Sequence, residues 1–174
     1  WTSDMAVEGR GREDFGIEIS HREITPGYLA TLRVPVLEGR DFGPADREGA
    51  PNVVLVNEAL ARTYFPQGDA VGRRIAFDRY PDENSQWRTI VGVVGSERRV
   101  SLGVAPRPEV FAPLAQDMTR SFALVVRTPL GLDVIPTLQE RLSVIDPSIP
   151  LHQVRTLAEV RDVSLARERF LLTL

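Results

Sequence analysis

The 174-residue chain contains no cysteine, which excludes disulfides, thiolate zinc sites and a cysteine nucleophile while leaving the redox compartment open. Long hydrophobic runs are missing too: no window approaches the ~20 apolar residues that span a bilayer. The opening lacks the charged, then apolar, then small-residue order of a signal peptide. Neither sign of charge dominates, with 21 basic and 24 acidic residues, so the basic footprint that nucleic acid requires is absent. Histidine is scarce. His21 and His152 have no acidic or histidine partner at metal-ligand spacing, and both read as surface or half-buried side chains. Catalytic motifs are equally lacking. Gly92-Val93-Val94-Gly95 has neither the G-x-G-x-x-G spacing nor the lysine and helix start of a phosphate loop, and reads as strand-end glycine. There is no G-x-S-x-G elbow. Asp82-Glu83-Asn84 lacks the alternating ligands and closing glutamate of a calcium loop. The sequence therefore offers no catalytic, cofactor-binding or metal-binding residue.

What is present is an ordinary globular composition, 43% hydrophobic, on a chain long enough for one large domain or two small subdomains. The most legible stretch is Pro51 to Pro66. Val53 to Val56 is a β-branched apolar run that predicts a buried strand. Asn57 is placed to cap a helix, in which Leu60/Tyr64 and Ala61/Phe65 repeat at i, i+4 and Pro66 forces the end.

Before it, residues 1–14 are polar, carry two glycines and read as a loose lead-in, and Phe15 to Ser20 alternates at period two like a half-buried strand. Thr25-Pro26 predicts a short helix start with proline at the first position, with Tyr28, Leu29 and Leu32 on the apolar face. Val34 to Leu37 reads as extended, and Pro35 assigns it to a sheet edge. A short strand is expected at Arg74–Phe77, a second strong strand at Trp87–Gly95, an edge strand at Glu109–Leu114 and a third strong strand at Phe122–Arg127. A helix then carries Leu132, Ile135, Leu138, Leu142 and Ile145 on one face, with Asp133 as cap and Pro136 in its first turn. Leu151–Val154 reads as a short strand, and Thr156/Glu159 as the capping box of a last helix that turns Leu157, Val160 and Val163 inward.

Strand–helix–strand thus occurs at 15–38 and again at 122–154, around a strand-rich middle, and the layer rule favours an α+β fold. The opening Trp1-Thr2-Ser3-Asp4 has no methionine, as in a cut fragment. The apolar end Phe170–Leu174 reads either as a truncation inside a longer hydrophobic segment or as a last helical turn docked on the core. Two mixed-charge runs, Glu97-Arg98-Arg99 and Arg167-Glu168-Arg169, read as solvated; the alternative for the second is a place near lipid headgroups if the chain enters a membrane after Leu174, against which stands the usual cytoplasmic bias of such arginines.

Five segments in order carry a resemblance: ITPGYLATLRVPVLEGRDF (24–42), VVLVNEALARTYFPQGDAVGRRI (53–75), WRTIVGVVGSERRVSLGVAPRPEVFAPL (87–114), FALVVRT (122–128) and IDPSIPLHQVRTLAEVRDVSLARERFLLTL (145–174). Together they resemble the MacB-like periplasmic core domain of ABC-transporter permeases, in particular the FtsX-like, duplicated permeases that often lack an ATPase. Ser96 stands where that pattern usually has an acidic residue, and the family's first strand is cut away or replaced by residues 1–14.

The resemblance implies two subdomains. A porter-like one is built from two β-α-β units at both chain ends (1–48 and 113–174, leading toward a truncated transmembrane helix), with a strand-rich Sabre-like insertion at 49–112. It implies a non-catalytic extracytoplasmic domain, on the periplasmic side of the cell (inner) membrane, that couples transmembrane-helix movement to substrate or partner handling, a mode called mechanotransmission. The implied partners are the transmembrane helices of the full-length chain, with a cytoplasmic ATPase subunit, a second permease copy or an extracytoplasmic adaptor protein; no cofactor is implied. Two readings compete. One is a small hydrolase whose carboxylates gather from separate loops, Asp41, Asp46 and Asp69 first, with raised pKa in a shared pocket. The other is a free-standing adaptor that recruits a protein by an edge strand, at Pro35 or Glu109–Leu114.

Overall fold

The computed structural model describes residues 2–11, 17–97, 105–117, 122–129 and 132–163. Ten elements follow in order: β1 (Thr2–Val7), β2 (Ile17–Ile24), α1 (Tyr28–Leu32), β3 (Val36–Gly39), β4 (Val53–Asn57), α2 (Glu58–Tyr64), β5 (Arg74–Ala76), β6 (Trp87–Val94), β7 (Glu109–Pro113) and α3 (Ile135–Ile145). A further helical stretch covers 157–163. The class is mixed α+β with strands dominating. The chain divides into one compact unit of residues 1–97 and 105–125 and a second of residues 98–104 and 126–174.

The first unit holds all seven strands in one sheet, ordered β3-β6-β4-β7-β2-β1-β5, and β5 pairs in addition with β6. The pairings therefore close through six strands, and β3 is appended to β6. One edge of β6 is divided lengthwise between them: Trp87–Thr89 pairs with β5, and Gly92–Val94 with β3. Two parallel pairs, β2 with β7 and β4 with β6, sit among antiparallel ones.

Alternation along β4 shows how the sheet is buried on both faces. Val54 and Val56 join a core with Met5, Val7, Ile19, Ile75, Ile90, Val93, Val110 and Ala112, so each of the six ring strands contributes. Leu60 and Phe65 from the helical segment pack into the same core, with Ala61 and Tyr64 half-buried beside them. Val53 and Leu55 point the other way, to Ile24, Leu29, Phe42, Val94 and Phe111. In β6 the period of two slips, because Val54 faces Ile90 but Leu55 faces Gly92. That extra residue puts Ile90 and Val93 on one face and Val91 and Val94 on the other, as a bulge does.

The expectation for Pro51–Pro66 holds in detail. β4 is wholly buried, and the Asn57 side chain accepts from the Leu60 N–H at 2.9 Å. Elsewhere the structure corrects the reading. Residues 2–7 are not a loose lead-in: they form β1, with Met5, Ala6 and Val7 buried, because three apolar residues at its end are enough to fill the ring. β2 continues to Ile24, past the alternating stretch, since its C-terminal half pairs with β7. α1 begins at Tyr28 after Gly27 at φ 87°, which leaves Pro26 in the preceding turn rather than at the first helical position. β7 is no edge strand. It lies between β2 and β4 with all five residues buried, and Pro113 is tolerated because it is the last residue of the ladder. The Pro35 segment does lead into an edge strand, β3, whose four residues are exposed.

Of the second unit, the described residues show α3 and the 157–163 helical stretch. Residues 122–129 and 151–154 adopt no strand, so the second strand–helix–strand pattern is represented by its helix alone. Asp133 accepts from the Ile135 N–H at 3.0 Å, and Pro136 falls in the first turn as expected. The capping box forms: Glu159 N–H donates to Thr156 Oγ1 at 3.1 Å, and Thr156 N–H to the Glu159 carboxylate at 2.7 Å. Leu157, Val160 and Val163 are exposed rather than inward. Phe15, the run after Glu97, and Arg167 to Leu174 lie outside the described residues.

Candidate functional site

The densest polar assembly is built on Arg22 of β2. In the parallel pairing Arg22 lies opposite Phe111 and Ser20 opposite Glu109, so the guanidinium reaches along β7 toward the Glu109 carboxylate. Its Nε is 3.0 Å from Glu109 Oε1 and its Nη2 donates to Oε2 at 3.2 Å, a two-pronged contact. The same Nη2 donates to Glu97, just after β6, and Nη1 donates to the Tyr28 hydroxyl of α1 at 2.6 Å. The guanidinium also lies over the rings of Phe111 and Tyr28, 4.8 and 5.3 Å from their centroids. Burial works against its charge, but Glu109 and Glu97 outweigh that and raise the Arg22 pKa.

Beside this group, Asn57 is 1% exposed and joins three segments. Its Oδ1 accepts from the Leu60 and Glu109 N–H groups, and its Nδ2 donates to the Arg107 carbonyl at 2.7 Å. Ser96, the departure from the family pattern, accepts from the Ala59 N–H at 3.1 Å. An acidic side chain there would meet the same helix-start donor, so the acceptor role survives the change of residue type.

A second polar group forms around His21. Its ring stacks on Phe77 with centroids 4.7 Å apart, and Arg88 lies over the same Phe77 ring while pairing with Asp117 at 2.7 Å. Burial pushes the His21 pKa below the ordinary imidazole value, opposed by Glu23 and Asp117 and reinforced by Arg88. His152 lies in the other unit and is exposed. Among the described residues no group of three or more His, Cys, Asp or Glu side chains converges to hold a metal ion.

The three carboxylates of the hydrolase reading each have a local partner. Asp46 is gripped by both Nη atoms of Arg40 at 2.7 and 2.8 Å and by the Gly43 N–H at 2.8 Å. Arg40 holds its pKa below the usual carboxylate range, against the effect of burial. Asp69 is lowered likewise by hydrogen bonding from Arg73. Asp41 accepts from the Phe42 N–H at 2.7 Å. Asp46 and Asp69 are thus shifted opposite to a proton-transferring acid, which wants a raised pKa. The Asp82–Asn84 loop folds on itself, with Asn84 N–H on Asp82 Oδ1 at 2.8 Å. Gly92 needs to be glycine for packing: a Cβ there would stand 2.5 Å from the Arg40 carbonyl oxygen.

Among the described residues, the sheet is closed through six strands, is packed on both faces, and carries charged groups such as Arg22, Glu97, Glu109, Arg40 and Asp46 that pair with one another. The MacB-like periplasmic core domain family matches residues 2–143, and the chain belongs to that family. Its fold is similar to the periplasmic region of MacB from Actinobacillus actinomycetemcomitans, at 13% identity and a TM-score of 0.57, over 83% of this chain. The chain spans 63% of that MacB region. It is also similar to a permease-protein domain from Porphyromonas gingivalis, at 18% identity and a TM-score of 0.53, covering 91% of this chain and 76% of that one. No curated protein sequence matches. No helix among the described residues is long and apolar enough to cross a membrane.

Proposed function

We propose that this domain works as a lever outside the cytoplasm, coupling movement of its permease's transmembrane helices to the handling of a substrate or partner, with no bond chemistry of its own. The observation that carries the reading is the family match over residues 2–143, joined to a sheet closed through six strands and packed on both faces. A sheet with no free rim through most of its circumference resists bending, which is what a lever requires. The family's porter-like portion would comprise 1–48 and 113–174 and its Sabre-like portion 49–112. Since β4 to β7 share one sheet with β1 to β3, that boundary would run through the sheet. The partners of this reading are the transmembrane helices of the full-length chain and, in the assembly, a cytoplasmic ATPase subunit, a second permease copy or an extracytoplasmic adaptor.

The test is to replace the domain in the full-length permease with a flexible Gly/Ser linker. The expected outcome is loss of transport with ATP hydrolysis by the associated ATPase retained. Transport that persists overturns the lever reading. For the hydrolase alternative, Asp41→Asn, Asp46→Asn and Asp69→Asn should leave transport unchanged.

A further inference from the structure

The turn that follows β7, residues 114–117, ties together the ends of β2, β4, β6 and β7 within the first unit. The Leu114 N–H donates to the Ile24 carbonyl of β2 at 2.9 Å, and the Gln116 and Asp117 N–H groups donate to the Pro113 carbonyl of β7. The Gln116 side chain accepts from the Val53 N–H of β4 at 3.1 Å and donates to the Pro51 carbonyl at 3.0 Å. Asp117 pairs with Arg88 of β6 at 2.7 Å, and the Arg88 side chain is only 8% exposed, so losing this partner would strand a buried charge. His21 and Arg88 stand two residues from Ile19 and Ile90 of the core that holds Val54 and Val56, hence on the same face of the sheet, and both lie against Phe77. Among the described residues, the charged side chains that act on His21 are Glu23 on its own strand, Asp117 in the turn and Arg88 on β6. Protonating the imidazole would set a second cation on the Phe77 ring and offer Asp117 a competing partner.

We propose that the 114–117 turn is a proton-operated strap across this end of the sheet. With His21 neutral, Asp117 stays on Arg88 and the strap holds; with His21 protonated, the imidazolium opposes Arg88, competes for Asp117 and loosens the strap. Linkage gives the same sign. Burial lowers the His21 pKa, Glu23 and Asp117 oppose that, and Arg88 adds to it, so the closed arrangement disfavours the proton and acid favours opening. The strap is therefore closed above about pH 6.5 and loosens as pH falls through the lowered value. It lies within the first unit, and the lever reading is not needed for it.

Amide hydrogen exchange on this chain reads the strap. The reporters are Val53, whose N–H bonds to the Gln116 side chain, and Gln116, whose N–H bonds to the Pro113 carbonyl. The references are Arg40 and Phe65, whose N–H groups bond to Val91 and Ala61. Protection factors, which remove the intrinsic pH dependence of exchange, are compared at about pH 7.5 and about pH 5. Protection at both reporters should fall in acid by about fivefold or more relative to the references, as a local opening does. His21→Gln, which cannot take up the proton, should abolish that fall. Asp117→Asn should weaken protection of the reporters at both pH values and leave no further fall in acid. Should His21→Gln fail to fold, Asp117→Asn decides alone, because an acid step that survives there would not run through the Arg88 pair. Reporters that keep their protection in acid, a loss shared equally by the references, or a fall that persists in His21→Gln would overturn the strap. Each of these results leaves the lever reading standing, because that reading is tested by transport in the full-length permease.

Discussion

Asn57 shows what one buried side chain can hold. Asn57→Ala removes a helix cap and leaves the Glu109 N–H and Arg107 carbonyl without their partner. The expected loss is about 2–4 kcal/mol, measurable as a fall in urea midpoint at unchanged m-value. Asn57→Asp keeps the acceptor and loses the donor, so it should fall between wild type and alanine. His21 predicts a pH dependence. Its pKa is lower folded than unfolded, so the unfolded chain binds more protons between the two values. The stabilisation is complete above about pH 6.5 and is lost as pH falls through the folded pKa. Among the described residues, the charged side chains that act on it are Glu23, Asp117 and Arg88. Urea midpoints at descending pH should drop across this window, and His21→Gln should flatten that drop. The Arg22 assembly was not legible in the sequence, because its partners Glu97 and Glu109 lie 75 and 87 residues away. Glu97 read there only as part of a solvated charge run.

At the scale of elements, legibility followed how local the causes are. β4–α2 was readable from sixteen residues because strand run, cap, apolar face and stop are adjacent in the chain. The α3 start and the Thr156–Glu159 box were readable for the same reason. β7 was misread as an edge because Pro113 suggests one, and only pairing with β2 and β4 shows the strand to be interior. β1 was missed because its first half is polar and its place is set by β2 and β5. Leu60 joins α2 to the ring core and is fully buried, so Leu60→Ala should cost about 2–5 kcal/mol in chemical denaturation. Gly92→Ala should destabilise through a different cause. The new methyl meets the backbone of Arg40, which cannot rotate aside, and the loss should appear first in the β3–β6 pairing as faster exchange of the Arg40 N–H, which bonds to the Val91 carbonyl.

For the whole molecule, burial is unequal between the two units. The first has two cores, whereas α3 buries no residue fully and Val144, Ile145, Leu157 and Val163 are each more than 60% exposed. Hydrogen exchange should separate them, with amides of β4, β6 and β7 opening only with global unfolding and those of α3 exchanging faster. Uniform protection along the chain would contradict this.

The order in which strands meet has a consequence for biogenesis. β2 is synthesised early, yet its lengthwise neighbour β7 arrives only with residue 113, and β4 is likewise completed by β6 and β7. Until then a nascent chain carries half-finished ladders with greasy flanks, a state in which non-local topology makes folding slow and aggregation-prone. A chaperone that shields residues 17–57 during export should therefore raise the yield of this domain more than one acting after release.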